Sequence, residues 1–257
     1  MTKLTIHRGD IFELGRHHIA CGDCCDAPLV SRLHGKEKAS LMLTDPPYAT
    51  AFVEGKESLT KTKSVHKPIV NDHLQTDDQY RSFTRSWLEA VRPHLMPKNA
   101  TYIFISDKTL FALRDGMLDA GWRYGQLLLW VKTQAVIGRL DYAVQHECIV
   151  YGWYGTHAFY KSPDKSVIIY PKPKKSPFHP TTKPIPILRR LILNSSRIGD
   201  IVYDPFLGSG STLLAAEQTQ RRCFGVEIDP EYCRVVMERF ERLTGIVPKK
   251  LSSSSNA

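Results

Sequence analysis

Two acidic-proline turns, each closing a short apolar run, constrain this chain more than any other feature. Asp45-Pro46-Pro47-Tyr48 follows Ser40-Leu41-Met42-Leu43-Thr44, and Asp204-Pro205-Phe206-Leu207-Gly208-Ser209-Gly210 follows Ile201-Val202-Tyr203. Apolar runs of this length, stopped by Pro or Gly, read as buried strands. Segments of helical spacing alternate with them: Tyr80, Phe83, Trp87, Leu88 and Val91 before Pro93, then residues 110–118, 185–193 and 230–243. Further strands are expected at 100–105, 126–131 and 147–151. The alternation predicts an α/β fold with a mostly parallel sheet and helices on both faces. Open sheets of this kind take ligands at the carboxyl ends of their strands. Both turns should therefore lie along one edge, each beside a different ligand.

The second turn has the chemistry of a loop that holds a small anionic ligand. Gly208 and Gly210 let the backbone approach closely, and Ser209 lies between them. Ser211 and Thr212 open a helix whose free N–H groups suit a carboxylate. The dinucleotide fingerprint needs a third glycine, but position 213 is Leu, so a pyrophosphate cofactor is disfavoured. A strand then runs from Arg222 to Glu227-Ile228. Glu227 sits about 20 residues past the glycines, where an acid would hold a ribose diol.

The first turn suits an exocyclic amine, whose lone pair is delocalised into an aromatic ring and must be reshaped before it attacks. Hydrogen bonds from the amine to Asp45 and to a backbone carbonyl pull the nitrogen towards tetrahedral geometry. Pro46 and Pro47 have fixed φ and no N–H, so they present carbonyls at a set angle. The ring of Tyr48 is placed to stack on an extruded base, a contact worth about 1–3 kcal/mol. Alone, the tetrapeptide reads first as a tight turn with a packed aromatic; its place at a strand end favours the functional reading.

With these motifs the chain resembles the β-group amino DNA methyltransferases, in which the Asp-Pro-Pro-Tyr turn precedes the cofactor loop. It looks closest to phage and prophage adenine methylases, over about residues 15–245. Leu14-Gly15-Arg16-His17-His18-Ile19-Ala20-Cys21-Gly22-Asp23 is similar to the family's entry segment, where Asp23 lies beside the cofactor's adenine. Gly138-Arg139-Leu140-Asp141-Tyr142, Gln145-His146-Glu147 and His179-Pro180-Thr181-Thr182-Lys183-Pro184 match other family segments, and the last borders the cofactor. The resemblance implies a circularly permuted, Rossmann-like fold, S-adenosylmethionine as methyl donor, and a DNA base as acceptor. Asp45, Pro46, Pro47 and Tyr48 are then catalytic. Asp23, Asp45, Lys183, Asp204, Phe206, Gly208, Ser209, Gly210, Ser211, Thr212, Glu227 and Ile228 are expected around the cofactor. The expected reaction is direct transfer to N6 of a flipped adenine. Cytosine N4, an RNA or protein amine, and a silent DNA-binding module are the alternatives. Homodimerisation is common in the family. Leu140 and the stretch between His157 and Pro177 depart from its pattern, which leaves the recognition sequence open.

Composition agrees with one catalytic domain over residues 1–251, with a tail at 252–257. The chain has 257 residues, 42% hydrophobic, and a formal charge of +9 that suits a polyanionic partner. Between Lys161 and Arg190, basic residues including Lys161, Lys172, Lys174 and Lys175 face one acid, Asp164. We assign these four lysines and Arg139 to DNA contact, within a recognition region of about 152–182. A polar insertion at about 49–76 is expected to be a mobile loop. Six cysteines without a signal peptide fit a reducing cytoplasm. The CxxC spacing at Cys21-Gly22-Asp23-Cys24 lacks a second pair, so no metal is expected. His146-Glu147 lacks the second histidine of HExxH, since position 150 is Val, and is expected to orient neighbours or line the base pocket.

Overall fold

The computed structural model describes residues 4–49, 75–135, 141–161, 163–171 and 183–251. Along the chain the elements are β1 (Ile11–Leu14), β2 (His17–Cys21), α1 (Ala27–His34), β3 (Ala39–Thr44), α2 (Asp77–Val91), β4 (Leu95–Ile105), α3 (Leu110–Asp119) and β5 (Trp122–Val131). There follow β6 (His146–Tyr154), β7 (Thr156–His157), β8 (Val167–Ile169), α4 (Ile185–Ser195), β9 (Ile201–Asp204), α5 (Ser211–Gln218), β10 (Arg222–Glu227), α6 (Pro230–Thr244) and β11 (Lys249–Leu251). The strands lie side by side in the order β11-β1-β2-β10-β9-β3-β4-β6-β5-β8, with β7 added alongside β4.

The heart of this sheet, β2-β10-β9-β3-β4, is parallel. Its side chains alternate between two apolar layers, as a strand's period of two demands. Leu41, Leu43, Phe104 and Val202 face α4, α5 and α6. Met42, Ile103, Ile105 and Tyr203 face α1, α2 and α3. Helices therefore cover both faces, as the alternation of elements predicts. Among the described residues two strands are reversed: β6, which enters between β4 and β5 and is antiparallel to both, and β1, which is antiparallel to β2 and β11.

Local sequence starts and stops the helices. Thr76 and Gln79 form a reciprocal capping box at α2, and Pro93 follows its end. Asp229 caps α6, Pro230 occupies its first turn, and Gly245 closes it at φ +73°. In α6 the buried residues Cys233, Val236, Met237 and Phe240 recur at i, i+3, i+4 and i+7. Strand β4 begins five residues earlier than the expected start at Ala100. After the buried Leu95 come three exposed residues, Met96, Pro97 and Lys98, which interrupt the apolar signature.

Some regions marked in the sequence lie partly or wholly outside the described residues: most of the insertion at 49–76, residues 172–182 of the recognition region, and the tail. The described part of 152–182 finishes β6 and contributes β7 and β8, so much of it completes the sheet. Among the described residues no helix is long and apolar enough to cross a membrane.

Gly116 of α3 lies against α2, where an added Cβ would be 2.6 Å from the Arg81 carbonyl oxygen and 2.7 Å from Thr84 Cβ. Ala is favoured over Gly in a helix by about 1 kcal/mol, whereas overpacking costs about 1–3 kcal/mol. The backbone clash should win. Gly116→Ala is expected to lower the urea midpoint, and a raised midpoint would show that α2 and α3 separate easily.

Candidate active site

Strands β9 and β3 are parallel neighbours whose chains leave in opposite directions. The connection from β9 runs through α5 to β10, and that from β3 leads through α2 to β4 on the other side. This reversal opens a crevice at the carboxyl ends. Both turns flank it. A buried 2.7 Å hydrogen bond from the Thr44 hydroxyl to Asp204 Oδ1 joins them.

The second turn is held by its own polar groups. Asp204 is 3% exposed, accepts from the Phe206 N–H at 3.1 Å and bonds Thr212. Burial pushes its carboxyl up to about 6, against the pull of Thr212, Thr44 and the Phe206 N–H. Phe206 is half-buried and meets Trp87 edge-on at 5.5 Å, which pins the loop to α2. The Gly208 N–H donates to Glu227 Oε2 at 2.7 Å and the Asp229 N–H to Oε1 at 2.9 Å. Burial of Glu227 pushes its carboxyl up to about 7 despite these two donors. Ser209 is buried, and its Oγ accepts from Arg239 at 3.0 Å. Ile228 is half-buried beside Glu227.

This loop fits an elongated ligand with an anionic end. Gly210 sits at φ +83° as the N-cap of α5, with no side chain capping the helix. A Cβ there would be 3.0 Å from Val236. The buried Ser211 hydroxyl has no partner among the described residues. Asp23 is exposed at the end of β2, and the Gly22 N–H bonds the Glu227 carbonyl at 2.8 Å. Asp23, Glu227 and the glycine loop thus occupy three successive strand ends, about 10 Å of edge at the usual spacing.

The first turn meets a cluster of buried charge. The Lys183 ammonium donates to Asp45 Oδ2 at 2.6 Å and to the Tyr48 hydroxyl at 3.1 Å, and pairs with Glu147 Oε2 at 3.2 Å. Lys132 pairs with Glu147 Oε1 at 2.9 Å. The Tyr48 hydroxyl donates to Asp45 Oδ1 at 2.7 Å. Tyr80 of α2 donates to the Pro47 carbonyl at 2.9 Å. Burial raises the Asp45 carboxyl, with Lys183 opposing and Glu147 adding to the rise. Burial also pushes Glu147 upwards, but Lys183 and Lys132 outweigh it and hold its carboxyl at about 2.

Several sequence expectations take a different shape here. The resemblance places Lys183 around the cofactor; in the structure its ammonium bonds Asp45 and Tyr48 of the first turn. The Tyr48 ring is half-buried, with the Lys183 ammonium 5.3 Å from its centroid, instead of standing open for a base. Glu147 joins the site as a neighbour-orienting acid. Lys132 carried no signal beyond following Trp130-Val131, and it arrives because the Lys132 N–H bonds the Gln145 carbonyl across the β5–β6 hairpin at 2.7 Å. Lys161 is exposed but follows Tyr160, whose N–H bonds the carbonyl of Asn194, at the far end of α4 from Lys183. That helix is about 16 Å long, so Lys161 is not brought to the site. Arg190 is committed to Asp164. Arg139, Lys172, Lys174 and Lys175 lie outside the described residues. Asp23, Cys24 and Cys25 have ligand atoms within 4.8 Å of one another, though Asp23 already accepts from the Cys25 N–H.

Thr44→Val keeps the shape of β3 but takes a donor from Asp204. The ordinary value for this carboxyl is 3.8 and its folded value about 6, so its ionised form weakens folding above pH 6, and that cost fades below the unfolded value. Loss of the Thr44 hydroxyl deepens the cost. The variant is expected to lose about 1–3 kcal/mol in urea titrations at pH 8 and less at pH 5. Equal losses would argue that the bond does not serve the carboxylate.

Comparison with known proteins agrees with this geometry. The N6/N4 methyltransferase family model, described as DNA methylase, matches residues 39–238. Type II methyltransferase M.HpaI of Haemophilus parainfluenzae is 28% identical over 229 residues, covering 78% of this chain and 68% of that protein. Type II methyltransferase M2.DpnII of Streptococcus pneumoniae is 25% identical over 224 residues, covering 80% and 83%. The M1.HpyAVI–SAM complex superposes with a TM-score of 0.62 at 20% identity, over 86% of this chain and 98% of that one. PvuII DNA methyltransferase, cytosine-N4-specific, gives 0.69 at 15% identity, over 94% and 89%. These two structures share the fold. The family model spans both acidic-proline turns and most of the chain, and the protein belongs to the DNA methylases, in the permuted group that methylates base amino groups.

Proposed function

We propose that the chain transfers the methyl group of S-adenosylmethionine to the N6 amine of an adenine flipped out of DNA. The observation that carries this reading is the Thr44–Asp204 bond, which sets a carboxylate-bearing turn directly beside a glycine loop at one crevice. The M1.HpyAVI structure, which has the same fold, is a complex with S-adenosylmethionine. When bound, this cofactor supplies an electrophilic methyl on a sulfonium. The open N-terminus of α5 and the Ser211 hydroxyl suit its carboxylate, Glu227 its ribose hydroxyls, and Asp23 the adenine end.

The chain's own part in the reaction is to shape and shield the amine. Asp45 and the Pro46 carbonyl accept its two N–H groups and aim the nitrogen lone pair across the crevice towards the glycine loop. Positive charge grows on that nitrogen, and the Asp45 carboxylate stabilises it in a site with little water. Burial lifts Asp45 above its ordinary range, so it is better able to take up the proton the nitrogen must shed. In the family resemblance, Asp at position 45 goes with adenine. The second reading, cytosine N4, rests on the superposition with the cytosine-N4-specific PvuII enzyme and uses the same groups.

Methyl-labelled S-adenosylmethionine incubated with the protein and unmethylated genomic DNA should yield labelled N6-methyladenine by mass spectrometry of the nucleosides. N4-methylcytosine would change the base and keep the mechanism; neither product would overturn the reading. Asp45→Ala should abolish transfer while calorimetric binding of S-adenosylhomocysteine persists, and Gly210→Leu should weaken that binding. The ribose hydroxyls favour ionised Glu227, whose carboxyl lies at about 7 in the free protein. Affinity for S-adenosylhomocysteine should therefore fall by up to about tenfold per pH unit below 7, and Glu227→Gln should flatten that dependence.

A further inference from the structure

Both Asp45 oxygens are engaged in this structure: the Tyr48 hydroxyl donates to Oδ1 and the Lys183 ammonium to Oδ2. Each oxygen keeps a second lone pair, but an incoming amine competes with these two donors for the carboxylate. Tyr48 and Lys183 have the same second acceptor, Glu147 Oε2, at 3.4 Å and 3.2 Å. The Lys183 nitrogen, 2.6 Å from Oδ2, also stands where a donating amine nitrogen would stand.

We propose that Lys183 is a stand-in for the target amine, and that Glu147, paired with Lys132, is the positioning residue that receives the ammonium when the base enters. This rests on the amine-methylating reading above. It extends that reading by explaining how a buried carboxylate stays solvated by protein between turnovers.

The charge count supports the exchange. Asp45 and Glu147 face Lys183 and Lys132, two acids against two bases. Lys132 and Lys183 are 5% and 7% exposed. A neutral base amine adds no charge, so the cluster stays balanced if Lys183 slides from one acid to the other. The slide is short because Lys183 already touches both. It strips Asp45 of its cation only when the amine is there to replace it. Lys132 cannot make the same move, since it is held to Glu147 on the opposite oxygen and its backbone is tied to Gln145 by the hairpin. The other groups around Asp45 are the Tyr48 and Tyr80 hydroxyls and, past Thr44, Asp204.

Glu147→Gln tests this in single-turnover methylation of genomic DNA followed against pH. S-adenosylhomocysteine binding should stay within a factor of about two, since Glu147 bonds Lys132, Lys183 and Tyr48 and not the glycine loop, while the plateau rate should fall by about a hundredfold. The acidic limb of the profile should move to lower pH, because Glu147 no longer adds its charge next to Asp45. Glu147→Asp should recover most of the rate, and Lys132→Met should reproduce the loss. In 15N-lysine-labelled protein, DNA should shift the Lys183 ammonium signal in wild type but not in Glu147→Gln. A rate loss with an unmoved limb and a Lys183 signal insensitive to DNA would overturn the inference alone. Absence of any methylated nucleoside from wild type would overturn the functional reading and this inference with it.

Discussion

A single buried hydrogen bond, Thr44 to Asp204, ties together the two strands on which everything else in the site depends. Parallel neighbours β3 and β9 pair through only Leu41–Val202 and Met42–Tyr203, so their last residues diverge beyond the ladder. Without a tie, the crevice between them would have no set width. With it, the Asp45–Tyr48 turn and the glycine loop have one relative position across the crevice. Phe206 on Trp87 and Tyr80 on Pro47 add a second restraint from α2. That helix thus braces both turns at once.

The electrostatics of the edge follow from its burial. Asp204 and Glu227 are lifted to about 6 and about 7 because they face few cations, and their hydrogen bonds come from backbone and hydroxyl groups. Glu147 goes the other way because two lysines flank it. Neighbouring carboxylates on one edge are therefore placed in different protonation ranges. Those facing the glycine loop are poised near neutrality, where hydroxyl donors of a ligand can favour ionisation. The acid facing Lys132 and Lys183 keeps its charge under all ordinary conditions and acts as a fixed counter-ion.

Legibility in the sequence tracked how local each interaction is. Asp45, Gly208, Gly210 and Glu227 stood out because turn chemistry and strand ends are written within a few residues. The helices 77–91, 185–195 and 230–244 were visible, within a residue or two at their ends, from their apolar spacing and neighbouring prolines. Strands β1, β7, β8 and β11 were not, since each has only two to four residues, too few to show a period. Lys132 was invisible for another reason. Its partner Glu147 is brought close by the β5–β6 hairpin, and its link to the catalytic turn needs β6 to insert beside β4. Within the basic stretch after Lys161, residues near in sequence are spread in space, since Lys161 and Lys183 lie towards opposite ends of α4.

The sequence by itself determined the alternation of strands and helices, the two turns, and the amino-directed chemistry that they imply, because these depend on residue type and on short-range geometry. Only the tertiary structure decided that Lys183 stands on Asp45, that Glu147 and Lys132 close the cluster, and that Asp204 serves the architecture as well as the loop. The links from this cluster to the Asp45–Tyr48 turn, and from β3 to β9, join pairs 99 to 160 residues apart in the chain, brought together by strand order. Strand order is set by how two apolar layers can be buried together, and no local pattern records it.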